Sequence, residues 1–157
     1  MAEWLDETEQ ATWRSFLRMH ANLMRAVGER LQADSGMSLP DFEVLAMLSE
    51  APDAELRERD LCFELQWEES RLARHVRELQ ERGLLQRDGH VDGGQSPMIS
   101  LTEAGRAAVD AAAPAHVARV RELFFDVLSL EQVQVMGDAA AAVLENVAGV
   151  TDTDDKA

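Results

Sequence analysis

Residues 69–83, ESRLARHVRELQERG, place Leu72, Val76 and Leu79 at helical spacing and end on Gly83. The stretch that follows, LLQRDGHVDGGQSPMISLT, carries two short apolar runs on either side of Asp92-Gly93-Gly94-Gln95. A helix with a one-sided apolar stripe that stops at a C′ glycine and leads at once into a Gly-tipped hairpin has few ways to fold. Its stripe must pack on other helices close by, and the hairpin must stand beside it as a wing.

Candidate partners lie immediately upstream. In DSGMSLPDFEVL, Gly36 closes one helix, Ser38 caps the next and Pro40 falls in its first turn. That second helix carries Phe42, Leu45, Ala46 and Leu48, and Pro52 forces a turn after it. ELRERDLCFELQW then predicts a short third helix through about Leu65. Residues 37–102 thus form a helix-helix-helix-hairpin module, the layout of a winged helix-turn-helix.

Long helices flank the module. Trp13, Leu17, His20, Met24, Val27 and Leu31 recur at alternating steps of four and three, a coiled-coil-like seam. Thr102 caps a helix predicted from Glu103 to about Asp126, which Pro114 is expected to kink or briefly break. Ser129-Leu130-Glu131-Gln132 has capping-box spacing and opens a last helix to about Val147, and residues 151–157 read as a disordered acidic tail. Neither flank, 1–36 or 103–150, holds enough chain to bury its own stripe, so both are expected to pair with a second copy in a symmetric homodimer. The expected fold class is mainly α, a winged helix-turn-helix core with a two-stranded β-hairpin wing between long dimerisation helices.

Charge narrows the function. The 157-residue chain has a formal net charge of −15, against the basic excess of a general nucleic-acid binder. Its cations are nonetheless clustered: Arg71, Arg74, Arg77, Arg82 and Arg87 fall within seventeen residues. Glu69, Glu78, Glu81 and Asp88 lie among them, so two readings stand side by side: a local DNA-reading patch, or a solvated face of ion pairs one turn apart. The acidic N-terminus lacks a signal-peptide layout and no apolar run reaches a membrane span, which predicts a cytoplasmic chain with no membrane partner. One cysteine, Cys62, excludes an internal disulfide, and four scattered histidines without HxxxH or CxxC give no metal site. Acid pairs such as Asp41 and Glu43 stand beside no nucleophile or cofactor motif, so no catalytic residue and no cofactor is expected.

The segments SLPDFEVLAMLSEAPDAELRERDLCFELQWEESRLARHVRELQERGLL and ISLTEAGRAAVDAAAPAHVARVRELFFDVLSLEQ extend this reading. With LQWExSRLxxxVxxLxxRGL followed by LTxAGR, the chain resembles the MarR family of bacterial winged-helix regulators, in its actinobacterial branch, over nearly its whole length. The resemblance implies a dimer that binds palindromic operator DNA and leaves it when a small, often aromatic, ligand binds. It makes residues 69–82 the recognition helix. Arg71, Arg74, His75 and Arg82 are expected opposite the apolar stripe, Arg71 and Arg74 at base edges and Ser70 on a phosphate. Arg77, Arg87 and Gln95 complete the expected DNA-binding set. The wing departs from the family pattern: Gln95, or Gly94 in a shifted overlay, stands where the family has an arginine for the minor groove. No arginine or lysine lies between Arg87 and Arg106. A winged-helix dimer that keeps ligand or protein binding but has weakened or lost DNA binding is therefore the alternative. The implied ligand site lies between the dimerisation helices and the winged helix, with Trp13, Phe16, His20, Phe42, Met47, Trp67 and His116 as candidate wall residues; taken singly, each reads more readily as ordinary core. The family's peroxide-sensing members carry their cysteine in the first helix, so Cys62, in the third, reads as a small buried hydrophobe.

Overall fold

A computed structural model describes residues 4–88 and 96–154, with side chains as far as 148. The chain forms α1 (Glu7–Ser35), α2 (Leu39–Glu50), a short 3₁₀ turn (Pro52–Ala54), β1 (Glu55–Arg57), α3 (Glu58–Leu65), α4 (Glu69–Glu81), β2 (Leu85–Arg87), β3 (Met98–Leu101), α5 (Glu103–Leu123), a second 3₁₀ turn (Phe125–Val127) and α6 (Leu130–Asp154). The mainly helical winged-helix class is as expected. Two compact units divide the chain, the first ending at Arg119 and the second beginning at Val120.

In the first unit, local chemistry marks each helix end. Asp6 and Glu9 form a reciprocal capping box at the start of α1, and Gly36 ends that helix with φ 68°. The Ser38 hydroxyl accepts from the Asp41 N–H at 3.2 Å and opens α2. Gly83, at φ 72°, turns the chain out of α4 towards β2. Thr102 then ties two elements together: its hydroxyl donates to the Gly83 carbonyl at 2.7 Å and accepts from the Gly105 N–H at 3.0 Å.

The core gathers the stripes of these helices. Val44, Leu45 and Leu48 of α2, Leu61 of α3, and Leu72, Val76 and Leu79 of α4 meet Leu85 and Ile99 of the sheet, with Val109 and Ala112 of α5. Burying a Leu or Val side chain of this kind stabilises the fold by about 1.5–3 kcal/mol.

The sheet has one strand more than expected. β1 pairs antiparallel with β3, Leu56 opposite Ile99, and β3 pairs with β2, Leu85 opposite Leu101, giving the order β1-β3-β2. Glu55–Arg57, read from sequence as the start of the third helix, is this third strand, and α3 begins only at Glu58. Three residues are too few to show an alternating pattern, and the strand exists because β3 offers it an edge.

Three boundaries also differ. α5 is unbroken through Pro114 and ends at Leu123, and α6 extends to Asp154, four residues into the segment expected to be a tail. Pro114 costs one backbone hydrogen bond, while the turn before it is anchored by Val109 and Ala112 in the core.

In the second unit, Phe124 and Phe125 meet edge to face at 5.1 Å. The Ser129 capping box is formed, with Gln132 N–H to Ser129 Oγ at 3.2 Å and Ser129 N–H to Gln132 Oε1 at 2.9 Å. Val135, Val143, Leu144 and Val147 of α6 are exposed, as are Trp13, Phe16 and Leu17 of α1. Among the described residues no single helix is long and apolar enough to cross a membrane.

Candidate nucleic-acid interface

α3, a three-residue turn and α4 form a helix-turn-helix. The turn closes through Gln66, whose left-handed backbone (φ 54°) brings the Trp67 N–H to the Cys62 carbonyl at 3.0 Å. α4 then starts at Glu69 with no side-chain cap, which leaves its first N–H groups and Ser70 facing outward. Leu72, Val76 and Leu79 are buried, so the opposite side, with Ser70, Arg71, Arg74, Arg77 and Glu78, is open. This is the face on which the sequence placed a DNA contact.

The arginines on that face are not consumed by ion pairs. Among the described residues, no carboxylate lies within ion-pair distance of Arg71, Arg74 or Arg77. Arg71 instead stacks its guanidinium carbon 4.0 Å from the centre of the Trp67 ring, and Arg74 Nη2 lies 3.4 Å from His75 Nε2. The solvated-face alternative, with Arg74–Glu78 or Arg77–Glu81 pairs, is not what forms.

His75 departs from expectation. It is only 8 % exposed, faces inward with the apolar stripe, and bonds through Nδ1 to Asp41 Oδ1 at 2.8 Å. Its place was legible after all: residues 72, 75, 76 and 79 make one i, i+3, i+4, i+7 face. Asp41 of α2, weighed from sequence only as an unsupported catalytic acid, is the buried acceptor at the centre of this region. Its Oδ2 also accepts from Arg82 Nη1 at 3.3 Å, so Arg82 is partly tethered. Arg87 is tied to Glu58 at 2.7 Å, a bond that fixes β2 to α3. Gln95 and the rest of the expected wing tip, residues 89–95, lie outside the described residues.

Neighbouring ionisable groups show what burial does here. The Glu43 carboxyl is pushed up by burial, with Arg71 and then His75 pulling the other way. Burial likewise raises the Cys62 thiol, and Glu69, Glu58 and Glu68 add to it, so the thiol stays protonated and a poor nucleophile.

The candidate ligand-wall residues separate into several places. Trp13, Phe16 and His20 stack along the exposed seam of α1, with ring centres at 5.8 Å and 6.3 Å. Met47 packs against the main core, and Trp67 belongs to the helix-turn-helix turn, with its ring 5.3 Å from that of His75. Phe42 and His116 do meet, with ring centres 4.6 Å apart. His116 also lines a small cleft of about 50 Å³ between α1 and α5, with Arg30, Asp34, Ser35 and Arg119 among its walls. Its Nδ1 is buried without a hydrogen-bond partner among the described residues.

Burial holds the His116 imidazole below its ordinary range. The folded state therefore takes up this proton at a lower pH than the unfolded chain does. The stability linked to this group is complete above the ordinary histidine range and is lost progressively as pH falls from about 6.5 through the lower folded-state value. His116→Gln is expected to narrow the drop in melting temperature between about pH 7.5 and about pH 5; an unchanged drop would show that other groups set the acid limb.

Comparison with known proteins agrees with this geometry. Residues 37–105 match the family described as "Winged helix DNA-binding domain". The crystal structure of AbsC, a MarR family transcriptional regulator from Streptomyces coelicolor, is 30 % identical, covers 94 % of this chain and 99 % of its own, and superposes with a TM-score of 0.87. The chain belongs to the MarR family. A second MarR regulator of Streptomyces coelicolor, Sco3205, was solved in complex with DNA; it is 30 % identical over 92 % of this chain and 91 % of its own, with a TM-score of 0.87. An HTH-type transcriptional regulator of Bacillus subtilis, YdgJ, is 22 % identical over 123 residues, 78 % of this chain and 73 % of its own. This MarR protein is thus a transcriptional regulator with a DNA-binding winged helix, and its relatives and fold are those of regulators rather than enzymes.

Proposed function

We propose that the protein is a homodimer that lays α4 of each copy in the major groove of a palindromic operator and leaves it when a small hydrophobic or aromatic ligand binds. The observation that carries the reading is the open face of α4, where Arg71 and Arg74, within the first turns of the helix, form no ion pair among the described residues. Arginine in that position pairs bidentately with guanine, and Ser70 with the free N–H groups suits a phosphate. Arg77, Arg82 and Arg87 add backbone contacts, while His75 acts from inside. Residues 37–102 are the DNA-binding module.

Dimerisation through 1–36 and 103–150 is supported by the apolar residues these segments leave exposed, Trp13, Phe16 and Leu17 in α1 and Val143, Leu144 and Val147 in α6. The two-fold axis then sets the α4 helices about 34 Å apart, one turn of DNA. A ligand against Phe42 and His116 that favours another separation shifts the population off the operator. Such a regulator works beside the chromosome, in the bacterial cytoplasm.

Titration against the promoter region flanking its own gene across a salt series tests this. Saturable, specific binding with a steep salt slope is expected, and Arg74→Ala should remove about 1–3 kcal/mol at each half-site. No saturable binding at low salt would sink the proposal. It would favour the second reading, a winged-helix dimer without operator binding, for which the net charge of −15 and the wing without arginine speak. Gln95→Arg separates the two further: a gain of roughly 1.5 kcal/mol marks the missing wing charge as the cause of weak binding.

A further inference from the structure

An arginine on an open helix face turns freely about several bonds, and a guanidinium that must meet two acceptors of one base gives up that freedom on docking. Here the freedom is restricted from beneath. The turn at Gln66 sets the Trp67 indole against two side chains of α4: the Arg71 guanidinium, 4.0 Å over the ring centre, and the His75 ring, centre to centre 5.3 Å. His75 is held in turn by Asp41 of α2 at 2.8 Å. Nδ1 donates to the Asp41 carboxylate, so the ring presents Nε2 on its far side, and Arg74 Nη2 lies 3.4 Å from it. The carboxylates of α4 play no part in holding either arginine.

We infer that Trp67 and His75, braced by Asp41, form a platform that fixes the guanidinium groups of Arg71 and Arg74 and so sets the sequence specificity of this regulator without touching DNA. The inference rests on the proposed base reading by those two arginines. Trp67 and His75 are positioning residues. Their loss relaxes which base is preferred and leaves the phosphate contacts, and hence the salt slope, as they were. A π face is what Trp67 contributes, so Trp67→Phe retains it and Trp67→Leu does not.

Selection from randomised duplexes with the full-length protein, followed by titration on the selected duplex and its single-base variants, provides the test. Arg71→Ala is expected to flatten the preference at one position of each half-site, by about 5- to 150-fold. Trp67→Leu should reduce discrimination at that same position roughly two- to fivefold, Trp67→Phe should restore most of it, and neither should alter the salt slope. Arg74→Ala and His75→Gln form the matching pair for the second arm. Thermal melting confirms that each variant folds; if Trp67→Leu does not, Trp67→Met against Trp67→Tyr carries the same contrast. If Arg71→Ala loses its preferred base while Trp67→Leu discriminates like the parent, the platform is overturned and base reading stands. If Arg71→Ala selects the parental sequence, base reading fails and the platform with it.

Discussion

Gly105→Ala is expected to melt well below the parent protein. A Cβ built at this position overlaps the backbone carbonyl oxygen of Leu84 and comes within 2.7 Å of Leu101 Cδ1. The first turn of α5 is thus laid directly on the chain leaving α4, where Thr102 also reaches back to the Gly83 carbonyl. Backbone cannot yield as a flexible side chain does, so the expected cost lies at the upper end for overpacking, about 3 kcal/mol. For a chain of this length that lowers the melting midpoint by roughly 6–12 °C. Gly28→Ala is the control: its Cβ would meet only Leu39 Cβ at 3.6 Å, ordinary contact, and alanine gains about 1 kcal/mol of helix propensity over glycine. Paired thermal melts should therefore move in opposite directions, and equal shifts for the two variants would refute the close approach at Gly105.

Asp41→Ala is the second large effect. Asp41 is 6 % exposed and receives His75 Nδ1 on one oxygen and Arg82 on the other. Removing it leaves the buried imidazole N–H without an acceptor, at about 1–3 kcal/mol. The half-exposed Arg82 recovers water and adds little. Asp41→Asn keeps an acceptor and should cost less. The double change Asp41→Leu with His75→Leu should recover much of the loss, because a polar pair replaced together by apolar groups leaves nothing unsatisfied. Chemical denaturation of the parent, Asp41→Leu, His75→Leu and the double variant gives the coupling. Strict additivity of the two single changes would mean that Asp41 and His75 do not hold one another in solution.

Most helices of this fold can be read from residue order, and the reasons are local. Ser38, Thr102 and Ser129 cap where their hydroxyls meet the first free N–H groups, Gly36 and Gly83 stop helices with positive φ, and the period of Leu72, Val76 and Leu79 names the buried side of α4. The outward placement of Ser70, Arg71, Arg74 and Arg77 follows from that same period. β1 was not legible, because three residues carry no pattern until β3 lies beside them. Nor was the role of Asp41, which is thirty-four residues from His75. The packing of Trp67 beneath Arg71 was not legible either, because that contact depends on the left-handed turn at Gln66.

By itself, the sequence determined most helix starts and stops, which face of α4 is apolar, and that five arginines of an acidic chain fall between residues 71 and 87. These are properties of neighbouring residues, settled by hydrogen bonds within a turn and by a repeat of 3.6. Only the tertiary structure decided which partners those cations have. It set Arg71 on an indole, Arg74 beside an imidazole and Arg82 on a buried carboxylate from another helix. The first contact depends on the left-handed turn at Gln66 and the second on His75 being held inward by Asp41. The third arises where α2 and α4 are pressed together by the burial of their apolar sides, and no spacing along one helix encodes the side chains of another.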